Sequence, residues 1–302
     1  MKVYAIVVLY NGEKWIDRCF GSLRASQTPL QVIAVDNASS DHGLEKIRSD
    51  YPEVQVIQSA KNLGFGAANN IAMRKAYEDG ADFFLLLNQD AWIEPTTVGS
   101  LVRVHARDNK YDLLSPMHLT GSGHKLEEGF SRCLKPSSCP DLISDLYFQR
   151  TEDRIYPISF APAAAWLLTR RCIETIGGFN PTFFHYGEDD NYTQRVHYHG
   201  MQMGVYPFAK IFHDTEFRPA QSLNAGKKLA YKKKLLQYSD PNSEKDIRLE
   251  ANRHLKSSIL SALKLSPAAA RKALEEYRQY SSIASTLRQN RDISRNVGRS
   301  FL

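Results

Sequence analysis

Hydrophobic positions in the first 110 residues alternate between continuous apolar runs and runs with helical spacing. The continuous runs predict buried strands at Lys2–Leu9, Gln31–Val35, Val54–Gln58 and Asp82–Leu87. Helical spacing between them predicts helices over about 15–23, 41–49, 66–78 and 95–105. Strands separated by helices predict an α/β fold with a parallel sheet flanked by helices.

The rest of the chain is less regular and then becomes wholly helical. Further strands are predicted at Leu113–Met117, Ala163–Thr169, Met203–Phe208 and Lys210–His213, and helices at Arg170–Ile176 and Glu188–His199. Residues 130–155 have no clear period and are predicted to form a mobile loop. An apolar stripe from Ile247 to Leu263 and a start after Pro267 predict two later helices. We place a boundary at Phe217–Pro219, giving domains 1–219 and 220–302 with a helical C-terminal extension.

Composition restricts the class of protein and its setting. The 302 residues are 42% hydrophobic and 24% charged, which is typical of globular proteins and excludes whole-chain disorder and collagen. Four scattered cysteines predict no disulfide framework, and a reduced cytoplasmic setting is expected. No apolar run is long enough for a normal signal sequence or a membrane helix.

Charge is distributed unevenly along the chain. From residue 221 onward there are 17 Lys/Arg and 7 Asp/Glu, a net charge of +10, while the preceding residues carry −4. Such a tail favours membrane lipid or nucleic acid, and no known nucleic-acid motif accompanies it. The tail is therefore predicted to dock on an anionic membrane through the lysines at 227, 228 and 232–234, with Leu229, Leu235 and Leu236 alongside. The alternatives are a solvated helical face, or packing against the catalytic domain or a second subunit.

Polar residues follow several of the predicted strands. Asn11, Asp36, Asn62–Gly66 and Asn88–Asp90 all fall at carboxyl ends, where open α/β sheets bind ligands. Asp36 is expected to bind a base or ribose, whereas Asp41 suits helix capping. The glycines of Asn62–Gly66 permit close approach of a phosphate to a helix N-terminus, although they also suit an ordinary turn.

Two groups of side chains are candidates for chemistry. Asp90 ends a strand and can hold a hard divalent cation, Mg²⁺ or Mn²⁺, with His213 as the most suggestive second ligand. Glu188, Asp189 and Asp190 stand together at a helix start. They either complement the helix dipole or provide a general base whose pKa is raised by its neighbours.

The motifs occur in the order found in a known family. They are Val7–Asn11, Val35–Asp41, Asn62–Asn69, Leu86–Asp90, Ile176–Phe179, Phe183–Asp190 with Arg195 and Gly200, and His213. Over about 1–217 the chain resembles an inverting family 2 glycosyltransferase of the GT-A fold, nearest the rhamnosyltransferase-like members. Asn88 stands where the family usually has the first acid of its metal motif.

The resemblance implies a role for each matching residue. Leu9, Tyr10 and Asn11 would border the base, with Asp36 accepting its N3–H. Further nucleotide contacts would come from Asn62, Gly64, Asn69, Asn88 and Gln89, Asn88 lying by the ribose. Asp90 and His213 would bind Mg²⁺ or Mn²⁺ at the diphosphate. Asp189 would deprotonate the acceptor, with Glu188 as the next candidate.

The implied reaction transfers a sugar from a nucleotide-diphosphate sugar to a hydroxyl group. The resemblance favours dTDP-rhamnose, then UDP-hexoses, as donor and a glycan or lipid-linked acceptor in cell-surface polysaccharide synthesis. The expected location is the cytoplasm, with peripheral attachment to the inner face of the plasma membrane through the basic tail. The C-terminal helices are also candidates for a homodimer contact. The main alternative is an inactive scaffold that binds sugar nucleotides. A sugar nucleotidyltransferase is disfavoured, because Asn11-Gly12-Glu13-Lys14 lacks the basic, glycine-rich loop that grips a triphosphate.

Overall fold

A computed structural model of the protein describes residues 1–215 and 225–302, and the side chains from 229 within the second range. The chain divides into two compact units, one comprising Met1–Ala220 with Val297–Leu302 and the other Gln221–Asn296. The predicted boundary at Phe217–Pro219 lies outside the described residues. The extension predicted over 220–302 differs from this division at its end, because the last six residues group with the first unit.

Strands of the described residues form one sheet in the first unit. They are β1 Val3–Leu9, β2 Leu30–Asp36, β3 Gln55–Gln58, β4 Phe83–Asn88, β5 Ala91–Ile93, β6 Tyr111–Thr120, β7 Tyr156–Pro157, β8 Ala165–Thr169 and β9 Gln202–His213. Their order is β3-β2-β1-β4-β8-β6-β9-β5, with β7 also paired to β9. The α/β class is confirmed.

The sheet is parallel in one half and mixed in the other. Strands β3, β2, β1 and β4 run parallel to one another, as the alternation of strands and helices predicted. Strand β8 is antiparallel to both β4 and β6, and β5 is antiparallel to β9. The prediction of a mostly parallel sheet therefore applies to the half formed by β1 to β4. Only in that half does a helix separate every two strands that are consecutive in sequence.

Helices cover both faces of the sheet, and others form the second unit. They are α1 Ile16–Arg24, α2 Gly43–Asp50, α3 Phe65–Glu78, α4 Thr97–Arg107, α5 Glu128–Ser131, α6 Leu142–Tyr147, α7 Arg170–Ile176, α8 Glu188–Tyr198, α9 Ala225–Ser239, α10 Ile247–Leu263 and α11 Pro267–Ser294. Alternate β1 residues pack on opposite faces: Ile6 lies in the core beneath α3, α7 and α8, and Val7 in the core beneath α1, α2 and α4. Burial of both faces explains why β1 is apolar throughout.

Two elements differ from their predictions. Residues 130–155, predicted as a mobile loop, contain the short helix α6 and contribute Phe130, Leu134, Cys139 and Leu142 to the core. Helices this short hold too few residues to show a period. The two strands predicted at 203–213 are one strand, β9, whose pairing with β6 shifts register at Pro116/Met117.

The second unit is helical, as predicted, and has its own small core. Tyr238, Ile247, Ala251, Tyr280 and Leu287 meet at the centre of this core. None of the helices in the described parts of the chain is both long and apolar enough to cross a membrane.

Candidate active site

The carboxyl ends of three adjacent strands bring together the residues predicted to contact the nucleotide. Leu9 of β1 is in register with Asp36 of β2, and Val8 is in register with Asn88 of β4. Leu9 and Asp36 are buried and Asn88 is half-buried. The Asp36 carboxylate accepts the N–H of Ser39 at 3.1 Å, which holds the start of the following loop against the end of β2.

Gln89 and Asn11 fix the loop after β1. The Gln89 side chain accepts the Tyr10 N–H at 2.9 Å and donates to the Tyr10 carbonyl at 3.0 Å. Asn11 has a positive φ of 49°, and its side-chain oxygen accepts the Ser40 N–H at 2.8 Å. The amide of Gln89 is thus occupied by backbone, which suits it to position Tyr10. A direct contact between Gln89 and the nucleotide stays a prediction.

The glycine-containing loop before α3 is organised by two asparagines. The Asn62 side-chain oxygen accepts the Gly64 N–H at 2.8 Å and the Asn37 side-chain N–H at 3.0 Å. The Asn37 side-chain oxygen accepts the Leu63 N–H at 2.7 Å. Gly64 has φ 80°, and a Cβ there would overlap the Phe184 carbonyl oxygen. Only glycine therefore fits where this loop meets the segment before α8. Asn37 was missed by the sequence reasoning, although it adjoins Asp36 in a quoted motif.

Asn69 lies deeper than the other candidates. Its side chain is buried and donates to the Phe65 carbonyl at 3.0 Å, one turn earlier in α3. Its role in the nucleotide pocket stays a prediction.

Asp90 and His213 are brought together at the end of the sheet. Ala91 of β5 pairs with His213 of β9, and the Asp90 carbonyl accepts the Asp214 N–H at 2.9 Å. The Asp90 Oδ1 and His213 Nε2 atoms lie 3.2 Å apart, and both side chains are largely buried. The residues lie more than a hundred positions apart in sequence, so their contact depends on the antiparallel pairing of β5 with β9, and β5 itself was not predicted.

The donor set at this point fits a divalent cation only in part. One carboxylate and one imidazole are suitable ligands for Mn²⁺ or Mg²⁺. Among the residues that the structure describes, no group of three or more His, Cys, Asp or Glu side chains is arranged to hold a metal ion. A cation bound here would therefore need further ligands, such as diphosphate oxygens or water.

The predicted catalytic acids occupy the first turn of α8. Gly187 precedes the helix with a φ of 104°, and Glu188 is buried with its Cβ close to Gly66 of α3. Asp189 is half-exposed, and its carboxylate accepts the Asp190 N–H at 2.8 Å. Asp189 is the more accessible of the two candidates.

One side chain of the region predicted as a loop, Cys133, lies within electrostatic range of these acids. Burial raises the pKa of the Cys133 thiol to about 11, and the negative charges of Glu127, Asp189 and Asp190 contribute to the rise. Cys133 lies two residues after α5, and the acids lie in the first turn of α8. The exposed rings of Phe184 and Tyr186 precede the same turn. Aromatic residues beside an acid are suited to contacting a sugar acceptor.

Comparison with known proteins gives a consistent assignment. Residues 4–175 match the family model described as glycosyl transferase family 2. The N-acetylglucosaminyl-diphospho-decaprenol L-rhamnosyltransferase of Mycobacterium tuberculosis is 24% identical over 250 residues, covering 75% of this chain and 81% of the relative. The low-salt glycan biosynthesis hexosyltransferase Agl10 of Haloferax volcanii is 22% identical over 214 residues, covering 69% of this chain and 66% of the relative.

Solved structures share the fold at low sequence identity. The structure of S. aureus TarS 1-349 in complex with UDP-GlcNAc has a TM-score of 0.57 and 16% identity, covering 98% of this chain and 90% of that one. The mannosyltransferase PcManGT from Pyrobaculum calidifontis, in complex with GDP-Man and Mn²⁺, has a TM-score of 0.53 and 16% identity. This match covers 97% of this chain and 86% of that one. The family match spans more than half of the chain, and this chain belongs to glycosyl transferase family 2 and is a glycosyltransferase.

Proposed function

We propose that this protein transfers a sugar from a nucleotide-diphosphate sugar, of the dTDP-rhamnose or UDP-hexose class, to a hydroxyl group. The acceptor is a glycan or a lipid-linked saccharide in cell-surface polysaccharide synthesis. Support comes from the two relatives, one named as a rhamnosyltransferase of a diphospho-decaprenol saccharide and one as a hexosyltransferase of glycan biosynthesis. We infer that the reaction takes place at the inner face of the plasma membrane, where a lipid-linked acceptor is held.

The proposed chemistry is a single displacement at the anomeric carbon of the donor. Asp189 takes the proton of the acceptor hydroxyl, whose oxygen forms a bond to the anomeric carbon as the bond to the diphosphate breaks. Half-exposure of Asp189 and burial of Glu188 favour Asp189 as the base. Attack from the face opposite the leaving group inverts the anomeric configuration.

Donor binding is proposed at the ends of β1, β2 and β4. Leu9, Tyr10 and Asn11 border the base, and Asp36 accepts its N3–H. Asn62, Gly64, Asn69, Asn88 and Gln89 complete the pocket. Asp90 and His213 would hold Mg²⁺ or Mn²⁺ together with diphosphate oxygens, and a bound cation offsets the charge that develops on the leaving group. Two structures of similar fold contain Mn²⁺.

The observation that carries the proposal is the 3.2 Å contact between Asp90 and His213 beside the strand ends that hold Asp36 and Asn88. Its test is the melting temperature of the full chain with a panel of nucleotide sugars, with and without Mn²⁺. A bound ligand stabilises the native state by mass action. We expect a rise with the true donor that is larger with Mn²⁺, and loss of that extra rise in Asp90→Asn and His213→Gln.

A control variant separates this effect from general damage. Asp108→Asn removes a half-exposed carboxylate that pairs with Lys110, and it should leave the Mn²⁺ effect unchanged. An equal rise with and without Mn²⁺ would contradict the metal site. The absence of any rise with the whole panel would contradict the donor class.

A further inference from the structure

The turn between α10 and α11 exposes an unusual number of large apolar side chains. We call residues 256–272 the hairpin tip. Leu260 is 56% exposed, Leu263 75% and Leu265 90%, and Ile259 is exposed beside them. These leucines lie at the end of the unit away from its small core, which is built from residues such as Tyr238 and Leu287. Exposed apolar groups of this kind mark interaction sites.

The conformation of Leu265 strengthens this interpretation. The Leu265 N–H donates to the Ala262 carbonyl and the Ser266 N–H to the Ser261 carbonyl, the hydrogen bonds of a helix end that glycine usually closes. Leu265 has a φ of 55°, in the left-handed region that glycine adopts without strain. The side chain gains little packing in return, because it is almost fully exposed. Folding of this unit alone does not account for a leucine here.

Charge around the tip is of one sign. Residues 251–274 contain five Lys/Arg and no Asp/Glu. Lys256, Lys264, Arg271 and Lys272 lie within the tip, and all four are exposed. The tip therefore combines protruding leucines with a positive rim, the combination that binds the surface of an anionic bilayer.

We propose that the hairpin tip docks on an anionic lipid bilayer, with Leu263 and Leu265 entering the interface and the four basic residues contacting headgroups. A second copy of the chain is a poorer partner. A two-fold contact places the same patch on both subunits, and so would set these cations against one another.

This location differs from the one predicted from the sequence, which stays a prediction. Of the five lysines in that prediction, Lys234 is held by Glu250 of α10 at 2.5 Å within the helical unit. The side chains of Lys227 and Lys228 lie outside the described residues. Sequence counts gave the net charge but not the exposure of each side chain. The hairpin tip has both the exposed apolar groups and the exposed charge.

Co-sedimentation of the full chain with vesicles tests the proposal. The vesicles are phosphatidylcholine alone or phosphatidylcholine with phosphatidylglycerol, at low and high salt. We expect binding only to the anionic vesicles, and weaker binding at high salt. Lys264→Gln and Lys272→Gln should each weaken binding about fivefold. Leu263→Ser should weaken it about tenfold, because an apolar side chain no longer enters the interface.

Leu265→Gly separates binding from folding. Glycine adopts the positive φ without strain, so this variant should hold or raise the melting temperature while weakening vesicle binding. Leu249→Ser is the matched control, because Leu249 is 62% exposed but lies at the opposite end of α10. It should bind vesicles as the unaltered protein does.

Three results would overturn the docking proposal. The first is that the protein does not bind anionic vesicles at low salt. The second is that Leu263→Ser and Leu265→Gly bind vesicles as the unaltered protein does. The third is that the protein binds no vesicles but forms a dimer in solution, which Leu263→Ser dissociates. The last result would assign the tip to a second copy. Turnover of nucleotide sugar is measured separately in detergent-free buffer, so docking can fail while the proposed transfer stands.

Discussion

Asp189 and Glu188 are neighbours on the first turn of α8, yet their environments differ. Glu188 is buried against the start of α3, whereas Asp189 is half-exposed and follows the exposed Phe184 and Tyr186 in sequence. A base must reach the hydroxyl proton of an acceptor that arrives from solvent. Accessibility therefore distinguishes the two acids, which sequence spacing alone does not.

Asp189→Asn is expected to lower the rate of transfer by about 10²–10⁴-fold, because the amide cannot accept the hydroxyl proton. Donor binding should persist, which the thermal shift with nucleotide sugar will measure. Glu188→Gln is the comparison, and its rate should fall less. Full activity of purified Asp189→Asn would transfer the assignment to Glu188.

A buried histidine gives the first unit a defined sensitivity to acid. Burial lowers the pKa of His118 to about 3, and the electrostatic interaction with nearby His213 acts in the same direction. His118 stacks on Phe130 at 4.4 Å and contacts the Ser115 hydroxyl at 3.2 Å. The pKa of His118 is lower in the folded protein than in the unfolded chain. At pH values between these two pKa values, the unfolded chain therefore binds more protons.

Stability is therefore predicted to fall as pH drops below about 6.5, by about 3 kcal/mol at pH ~4 from this group. His118→Gln should lose about 3 kcal/mol less unfolding free energy than the unaltered protein as the pH falls from about 6.5 to about 4, as measured by denaturant unfolding. His124→Gln, which alters an exposed histidine, should behave like the unaltered protein. Equal acid sensitivity in all three proteins would contradict a buried neutral His118.

At the scale of elements, the turn after α7 is held by the last residues of the chain. The Ser300 carbonyl accepts the Gly178 N–H at 2.8 Å, and Asn70 of α3 bonds both the Phe301 carbonyl and the Phe179 backbone. The buried Arg195 guanidinium of α8 donates to the Gly178 carbonyl at 2.5 Å. The turn thus joins α3, α7 and α8, the helices around the proposed acceptor site.

Gly177→Ala tests how closely this turn is packed. Gly177 has φ 78°, and an added Cβ would overlap the Ser300 backbone. Gly200→Ala is the matched control, because Gly200 has φ 68° but open space around it. The control should cost about 1–2 kcal/mol from the left-handed conformation alone. Gly177→Ala should lower the unfolding free energy by clearly more, because its φ of 78° and ψ of −143° suit glycine alone and the added Cβ meets Ser300. Equal losses in the two variants would contradict this close packing.

Sequence reasoning predicted elements best where the pattern is repeated. Strands β1, β2 and β4 are buried on both faces and so appear as long apolar runs, and their ends place Asp36 and Asn88 together. Strand β5 has three residues and α5 four, which is too short for any period. The contact between Asp90 and His213 depends on β5, so the sequence could suggest this pair only from the ends of predicted strands and from the family resemblance.

The sequence also did not reveal the hydrogen-bonding partners of the polar side chains at the candidate site. Gln89 occurs in a motif that suggested a nucleotide contact, but its amide is bonded to the Tyr10 backbone. Asn37 and Asn70 are buried and organise two turns, although nothing in their sequence positions distinguishes them from surface asparagines. Such roles depend on which backbone groups the fold leaves to be satisfied.

At the scale of the whole molecule, chemistry and charge belong to different units. The proposed donor and acceptor residues all lie in the first unit, and the hairpin tip lies in the second. This division matches the charge of the sequence, where the excess of Lys/Arg begins after residue 220. It also makes the two proposals independent, because transfer and vesicle binding are measured on different surfaces.

We propose that this glycosyltransferase works by a single displacement with Asp189 as base. The most direct measurement is the anomeric configuration of the product, determined by NMR after reaction of the full chain with a donor from the nucleotide-sugar panel and a glycan acceptor. We expect a product whose anomeric configuration is opposite to that of the donor, formed by the unaltered protein and not by Asp189→Asn. A product that retains the donor configuration would contradict it, since retention requires a different reaction course.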